Sequence, residues 1–225
     1  MTVSVAGQVE LLRTDTSNPM TWSHNTGTTS PEGVVVMIMH GASSTDHVTG
    51  VTYGSAVLDR IQRNVDTATE PGAAEIWFKG DGIPTGTQTV TVTLSSGTTD
   101  DILARSYTLD GAGNLEIVDR QGRDENAAAD PTVFTMLYGG RTCMSFCCCY
   151  SGVTANTTLT VEAASTKDGT TDLTGNFTAG FQHQTTAGSS NFGIQWGGVG
   201  SDDLAMCAIA VSEVQHLPLR AGTWM

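Results

Sequence analysis

Small polar and branched apolar residues alternate along most of this chain, which is the pattern of β-strands with one buried face. The clearest case is the segment 88–94, where Val90, Val92 and Leu94 fall on one face and threonines on the other. The preceding segment 82–86, GIPTG, carries the Gly and Pro residues that tight turns use. No stretch of helix length shows a helical period, so the pattern predicts an all-β protein.

Segments of this kind recur from one end of the chain to the other, each bounded by Gly, Pro, Asn, Asp or Ser. The predicted strands cover residues 3–12, 20–24, 34–40, 48–53, 56–61, 73–79, 88–94, 102–109, 115–118, 132–138, 142–150, 158–164, 177–183, 192–197 and 204–214. Many short strands with turns between them predict two antiparallel sheets packed as a jelly-roll-like or concanavalin-like β-sandwich.

Two segments are apolar without alternation, 34–39 and 204–211. Burial on both faces hides any alternation, so we expect both to be central strands that lie near each other in the core. The segment 119–131, DRQGRDENAAADP, has no periodicity and is predicted to be an exposed connection. No internal repeat and no shift of composition divide the chain. We therefore expect one domain over residues 1–225, with short arms at 1–15 and 215–225.

The composition of the chain argues against some classes of binding partner. Only 15% of the residues are charged, against about 25% in typical domains, and Thr, Ser and Gly take their place. Such a surface suits a member of a permanent protein assembly, although secreted β modules share it. The net charge is −13 and the lysines are Lys79 and Lys167, so neither nucleic acid nor an anionic membrane is an expected partner. The first residues do not resemble a signal peptide, and no apolar run is long enough to span a bilayer.

Five cysteines are present: Cys143, Cys147, Cys148 and Cys149 lie in one predicted strand, and Cys207 lies in another. An odd number crowded in this way argues against a disulfide framework. Neighbouring strand residues point to opposite faces, so consecutive cysteines cannot surround one metal ion. We interpret the five as small buried apolar residues.

Two segments carry side chains of the kind that form catalytic or calcium sites. The loop 40–47, HGASSTDH, places serines, an aspartate and two histidines close together, but Thr45 occupies the position of the second Gly in the G-x-S-x-G turn of hydrolases. The segment 110–119 carries four oxygen-bearing side chains without the full spacing of a calcium loop. We interpret both as polar turns, and the sequence predicts no catalytic, cofactor-binding or metal-binding residue and no enzyme activity.

The aromatic residues offer an alternative function. Tryptophans that are exposed beside polar loops bind sugars by stacking, and Trp77 and Trp196 are the candidates for contact with a host glycan. Tryptophans dispersed through strands also anchor cores, so burial of both would exclude this carbohydrate-binding alternative.

Three stretches together resemble a family of β-sandwich proteins that occurs among the structural proteins of tailed bacteriophages and on bacterial surfaces. They are VTGVTYGSAVLDRI at 48–61, AEIWFKGDGIPTGTQTVTVTL at 74–94 and DDLAMCAIAVSEV at 202–214. The matched positions are turn glycines, Pro84 and core residues, and so they transfer no catalytic residue.

The resemblance implies a building block of a virion or of a bacterial surface. The lack of a recognisable secretion signal and the reduced cysteines favour the virion. We therefore expect a non-enzymatic virion protein, assembled in the host cytoplasm, that binds a capsid or tail lattice as a decoration or baseplate accessory protein. A homo-oligomer is expected because repeated weak contacts add up in a lattice. The terminal segments are the predicted interface, through Val3, Val5, Val9, Leu217, Leu219, Arg220 and Trp224.

Overall fold

A computed structural model describes most of the chain, namely residues 3–13, 17–41, 45–67, 71–95, 101–111, 113–125, 132–152, 160–161, 166–173, 177–186, 191–197 and 204–214. Within these ranges the protein is all-β, with no helix. The strands are β1 Ser4–Arg13, β2 Met20–Asn25, β3 Gly33–His40, β4 Val48–Tyr53, β5 Ala56–Val57, β6 Asp59–Asp66, β7 Gly72–Lys79, β8 Thr87–Leu94, β9 Ile102–Asp110, β10 Leu115–Glu125, β11 Thr132–Leu137, β12 Cys143–Ser151, β13 Thr160–Val161, β14 Thr166–Leu173, β15 Phe177–Thr186, β16 Asn191–Gly197 and β17 Leu204–Glu213.

The strands form four antiparallel sheets. Inner sheet 1 has the order β1-β9-β3-β7-β6, and outer sheet 1 has the order β2-β8-β4-β5. Inner sheet 2 has the order β10-β17-β12-β15-β14, and outer sheet 2 has the order β11-β16-β13. The prediction of an all-β antiparallel sandwich is confirmed, and the structure adds a second sandwich to the first.

Three apolar cores show how the sheets are stacked. One joins outer sheet 1 to inner sheet 1, for example through Trp22 and Val36. A second joins the two inner sheets through residues such as Met37 and Phe146, and a third joins inner sheet 2 to outer sheet 2. The order of layers is therefore outer sheet 1, inner sheet 1, inner sheet 2 and outer sheet 2.

This stacking explains the two apolar runs. In β3, Val34, Val36 and Ile38 belong to the core with outer sheet 1, whereas the alternate residues belong to the core between the inner sheets. Strand β17 is buried on both faces in the same way. The prediction that both are central strands is confirmed, since each has a neighbour on either side; they lie in facing sheets, where β3 contacts β12 and β17 contacts β6 and β7.

The two sandwiches have the same topology. In the inner sheets, β10, β17, β12, β15 and β14 occupy the places of β1, β9, β3, β7 and β6. In the outer sheets, β11, β16 and β13 occupy the places of β2, β8 and β4. Strand β6 contacts β10, while β7 contacts β17 and β3 contacts β12. The equivalent strands of the two inner sheets thus face each other in opposite order, as they would in a two-fold symmetric dimer.

The β-bulges repeat with the topology. Pairing shifts by one residue at Ala6 in β1 and at Val118 in β10. It shifts again at Ile61 in β6 and at Asp168 in β14. When residues are matched through the strand pairings of each inner sheet, starting from the bulges in β1 and β10, the bulges in β6 and β14 fall at the same position. Ile61 and Asp168 are therefore equivalent positions.

The structure differs from three predictions about the organisation of the chain. The predicted strand 3–12 is confirmed as β1, and within the arm expected at 1–15 the segment 4–13 pairs with β9 along the edge of inner sheet 1. Residues 119–125 are not an exposed connection but the second half of β10, and Thr166–Leu173 forms β14, which was not predicted. Strands β10 and β14 are edge strands with a single neighbour, so they show little apolar alternation. Residues 126–131 and the arm 215–225 lie outside the described part.

Candidate functional site: the two seams between the sandwiches

The inner sheets meet along two seams that the pseudo-symmetry makes equivalent. In the first seam β6 lies against β10, and in the second seam β9 lies against β14 and β15. The strand registers of the two seams correspond, but the strands approach more closely in the first seam, where β6 contacts both β10 and β17, than in the second, where side chains connect β9 to β14 and β15.

A groove runs along the first seam, which we call the seam groove. Three adjoining cavities of about 280, 350 and 470 Å³ form it, the first two sharing Ile61 and the last two sharing Ile117 and Val118. Ile117 packs against the core between the inner sheets and Val118 against the core with outer sheet 2, so the groove follows the edge strand β10 and reaches both of its faces. Leu137, from β11, lies at one end and is 55% exposed.

Charged residues form the rim of the seam groove, and most of them are paired. Lys79 Nζ lies 2.9 Å from Asp81 Oδ1, and Arg141 forms an ion pair with Glu116. The backbone N–H of Leu137 donates to Asp119 Oδ2 over 2.8 Å. An apolar floor with a polar rim is the anatomy of a protein-binding surface.

The second seam contains a polar triad instead. The Tyr107 hydroxyl donates to Asp168 Oδ2 over 2.9 Å, and His183 Nδ1 lies 2.7 Å from the same oxygen. The Asp168 side chain has no exposed surface, and its Oδ1 has no hydrogen-bond partner. Burial, with the nearby Asp168 charge, raises the pKa of Tyr107 well above its usual value, so Tyr107 remains a hydroxyl donor.

The repeat shows what this triad replaces. The registers place Ile61 at the position of Asp168, Phe78 at that of His183 and Ile209 at that of Tyr107. Phe78 and Ile209 belong to the apolar core between the inner sheets, and Ile61 packs against it. Equivalent strand positions thus carry an apolar set at one seam and a buried carboxylate at the other. Tyr107 comes from the first sandwich and Asp168 from the second, so the triad is a polar link between them.

A third polar cluster lies at the end of the 40–47 loop. Glu75 is fully buried, and its carboxylate accepts hydrogen bonds from Arg63 Nε at 3.2 Å and Trp77 Nε1 at 3.1 Å. Arg60 binds Asp46 through both terminal nitrogens, at 2.6 and 2.8 Å, and this bonding lowers the pKa of Asp46. The cluster ties the loop to inner sheet 1.

The hydrolase interpretation of this loop required a histidine to contact Ser43 or Ser44, which lie outside the described residues. His47 Nδ1 lies 3.2 Å from Ser95 Oγ. His40 is buried, and neither of its ring nitrogens has a hydrogen-bond partner. Its Nε2 is 3.8 Å from Glu75 Oε1, too far for a hydrogen bond.

The predicted contact residues are placed as follows. Val3 is 2% exposed and belongs to the core between the inner sheets, while Val5 and Val9 are half-buried and pack against the protein's own cores. Trp77 is 6% exposed with Arg60 over its ring, so it offers no face for sugar stacking. Trp196 and the C-terminal set lie outside the residues whose side chains are described: Leu217, Leu219, Arg220 and Trp224.

The interpretation of the cysteines as buried apolar residues is confirmed. All five thiols are buried, and burial raises the pKa of Cys143, Cys148 and Cys207. In the 110–119 segment, Glu116 pairs with Arg141, and Asp119 accepts hydrogen bonds from backbone N–H groups. Within the described ranges, no three His, Cys, Asp or Glu side chains come together as a metal site.

The two seams could not be predicted from the sequence, because they bring together residues that are far apart along the chain. Tyr107 is 61 residues from Asp168, which itself lies in a strand that was not predicted. The seam groove likewise needs β6 and β10 to be placed side by side. The one usable signal was the pair of apolar runs, which indicated sheets covered on both faces.

Comparison with known proteins gives no relative for this chain: no protein-family model, curated protein or solved structure matches it. Among the described residues, no helix has the length and apolar character needed to cross a membrane.

Proposed function

We propose that this chain is a non-enzymatic structural protein of a tailed-bacteriophage particle, a capsid decoration or tail accessory protein that docks on neighbouring proteins through the seam groove. The observation that carries the proposal is the groove itself, with its apolar floor, its charged rim and the exposed Leu137 at one end. The phage context is supported by the sequence resemblance of residues 48–61, 74–94 and 202–214.

The architecture supports a building-block role in a second way. The stacked sandwiches share a core between the inner sheets, so the chain is a rigid block rather than two domains on a linker. Rigid blocks lose little conformational freedom when they join an assembly, and weak contacts then suffice when many copies bind a lattice.

Leu137 and Val57 provide a matched test, because they are the large apolar residues that the described part of the chain exposes, at 55% and 66%. Leu137 lines the seam groove, whereas Val57 lies in outer sheet 1, away from it. Burying one leucine contributes about 1.5–3 kcal/mol. We expect Leu137→Asp to reduce incorporation into purified particles by about tenfold or more, and Val57→Asp to leave it near the wild-type level.

The readout is the ratio of this chain to the major capsid protein in particles from cells that express each variant. Thermal unfolding of the purified variants shows whether both remain folded, which their surface positions favour. Equal incorporation of the two folded variants would remove the seam groove as the docking surface.

A further inference from the structure

We propose that Cys148 and Cys207 form a redox site, in which oxidation joins the two thiols in a disulfide across inner sheet 2. The bond would connect β12 to β17, which are neighbouring strands inside that sheet. The site is independent of the docking role of the seam groove. It is supported by the strand register, by the faces on which the cysteines lie and by the contacts of the two sulfur atoms.

The strand register places the two cysteines directly opposite each other. Cys148 pairs with Cys207 in the antiparallel ladder of β12 and β17. The Cα atoms of opposite residues lie about 4.5–5.5 Å apart, within the range of about 4.4–6.8 Å that disulfides join. Their Cβ atoms lie about 4.5–5.5 Å apart, so a shift of about 1 Å brings them to the separation found in disulfides. The bond can therefore form without a change of strand pairing.

Strand alternation selects Cys148 from three consecutive cysteines. Cys148 and Cys207 both belong to the core between the inner sheets. Cys147 and Cys149 belong to the core between inner sheet 2 and outer sheet 2, which is on the opposite face of β12. Their partners on β17 are an alanine and a methionine. Of these three thiols, that of Cys148 alone shares a face with its cross-strand cysteine.

The two sulfur atoms lie against the same part of the facing sheet. Cys207 Sγ donates to the carbonyl of Ala74 over 3.0 Å, and Cys148 Sγ donates to the carbonyl of Glu75 over 3.8 Å. Burial raises the pKa of Cys148 well above its usual value, while the backbone N–H of Cys207 lies against the Cys148 sulfur and acts in the opposite direction. Thiols are weak donors, so these two carbonyl contacts give little resistance to a covalent bond.

The internal repeat shows that the fold does not require cysteines at these positions. The equivalent pair in inner sheet 1 is Met37 and Arg105, which lie opposite each other in β3 and β9. The same strand pairing therefore forms with residues that cannot be oxidised to a disulfide. The cysteine pair is a property of the second sandwich alone.

Oxidised glutathione is an oxidant of the required class. One protein thiolate attacks its S–S bond and releases a reduced glutathione, and the second thiolate attacks the mixed disulfide and releases another. The Cys148–Cys207 bond forms, the glutathione disulfide breaks, and the two thiol hydrogens end on the two reduced glutathione molecules. Because both thiols are buried, the exchange requires transient opening of the sheet. In the proposed virion role, these conditions arise when the particle leaves the reducing cytoplasm.

Disulfide mapping of the full-length chain tests the proposal. The protein is incubated with oxidised and reduced glutathione in urea below the midpoint of unfolding, then alkylated and digested with trypsin. One tryptic peptide, residues 142–167, carries four cysteines, and another, residues 168–220, carries Cys207. We expect these two peptides to be joined in the main oxidised product, and fragmentation of the joined pair to locate the bond at Cys148.

The neighbouring cysteines provide matched controls, and circular dichroism shows whether each variant is folded. We expect Cys148→Ala to reduce the joined pair by about tenfold or more, because a thiol on the opposite face of the strand does not reach Cys207. Cys147→Ala and Cys149→Ala should leave its yield near the wild-type level. A bond located at Cys147 or Cys149, or equal yields from the three variants, would overturn the assignment.

A reagent control uses Val57→Cys, which places a thiol at an exposed position. If this thiol takes up glutathione while the two tryptic peptides stay unjoined, the redox site is excluded. That result would leave the docking role of the seam groove intact, since the incorporation of Leu137→Asp tests it separately.

Discussion

Replacing Tyr107 by phenylalanine removes a single hydroxyl from the second seam and tests whether the triad there links the two sandwiches. Asp168 Oδ2 receives the Tyr107 hydroxyl at 2.9 Å and lies 2.7 Å from His183 Nδ1, while Oδ1 has no partner. The variant therefore leaves a buried carboxylate with one neighbour in place of two. Hydrogen bonds to charged groups contribute about 1.5–3 kcal/mol, so we expect a loss of about 2 kcal/mol in the free energy of unfolding.

The assay is urea unfolding followed by circular dichroism, with thermal unfolding as a second measure. A loss of about 2 kcal/mol lowers Tm by roughly 4–8 °C in a protein of this size. Tyr53→Phe is the control, because the Tyr53 hydroxyl donates over 3.4 Å to the neutral carbonyl of His24. We expect that variant to lose less than about 1 kcal/mol. A Tyr107→Phe variant within about 0.5 kcal/mol of wild type would refute the charged link.

The internal repeat sharpens this test. The triple variant Tyr107→Ile/Asp168→Ile/His183→Phe copies the apolar set of the first seam onto the equivalent strand positions of the second seam. Replacing a buried polar group together with all its partners is often neutral or stabilising, whereas removing one partner is costly. We therefore expect the triple variant to be more stable than Tyr107→Phe alone. A triple variant that loses much more than the single variant would show that the seams are not interchangeable.

Two further predictions concern the cores. Burial lowers the pKa of His24 from 6.5 to about 4. Between these pH values the unfolded chain binds a proton at His24 that the folded chain does not bind. The free energy of unfolding therefore falls as the pH drops from 6.5 to 4. The full effect is about 3 kcal/mol, and urea unfolding at several pH values should show a weaker dependence for His24→Gln than for His47→Gln. A Cβ at Gly72 would lie 2.2 Å from the ring of Tyr150, whereas one at Gly50 would meet no atom within 4 Å. We expect Gly72→Ala to lower the free energy of unfolding by about 1–3 kcal/mol through overpacking, and Gly50→Ala to lower it by less than half as much. Equal losses of stability in thermal unfolding would contradict the packing between the sandwiches.

Strand positions followed from the sequence because alternation is a local property. The predicted segments 48–53 and 88–94 coincide with β4 and nearly with β8, and the continuous runs indicated the central strands. The edge strands were harder, because a strand with one neighbour has no need of an apolar pattern on both faces. The segment 119–125 and Thr166–Leu173 are such cases.

The repeat could not be read from the residues at all. Strand β3, GVVVMIMH, corresponds through the registers to β12, MSFCCCYS, without one identical residue. Both are apolar strands buried on two faces, and many residue sets satisfy that requirement. The duplication is therefore preserved in topology and in the positions of the bulges rather than in side chains, and the two seams follow from it.

The most direct test of the proposed role is to quantify this chain by mass spectrometry in particles purified from the source lysate, relative to the major capsid and tail-tube proteins. A structural protein that docks on a lattice should copurify with the particles at a fixed ratio that survives gradient centrifugation. Absence of the chain from purified particles, with the protein recovered free in the lysate, would contradict the proposed function.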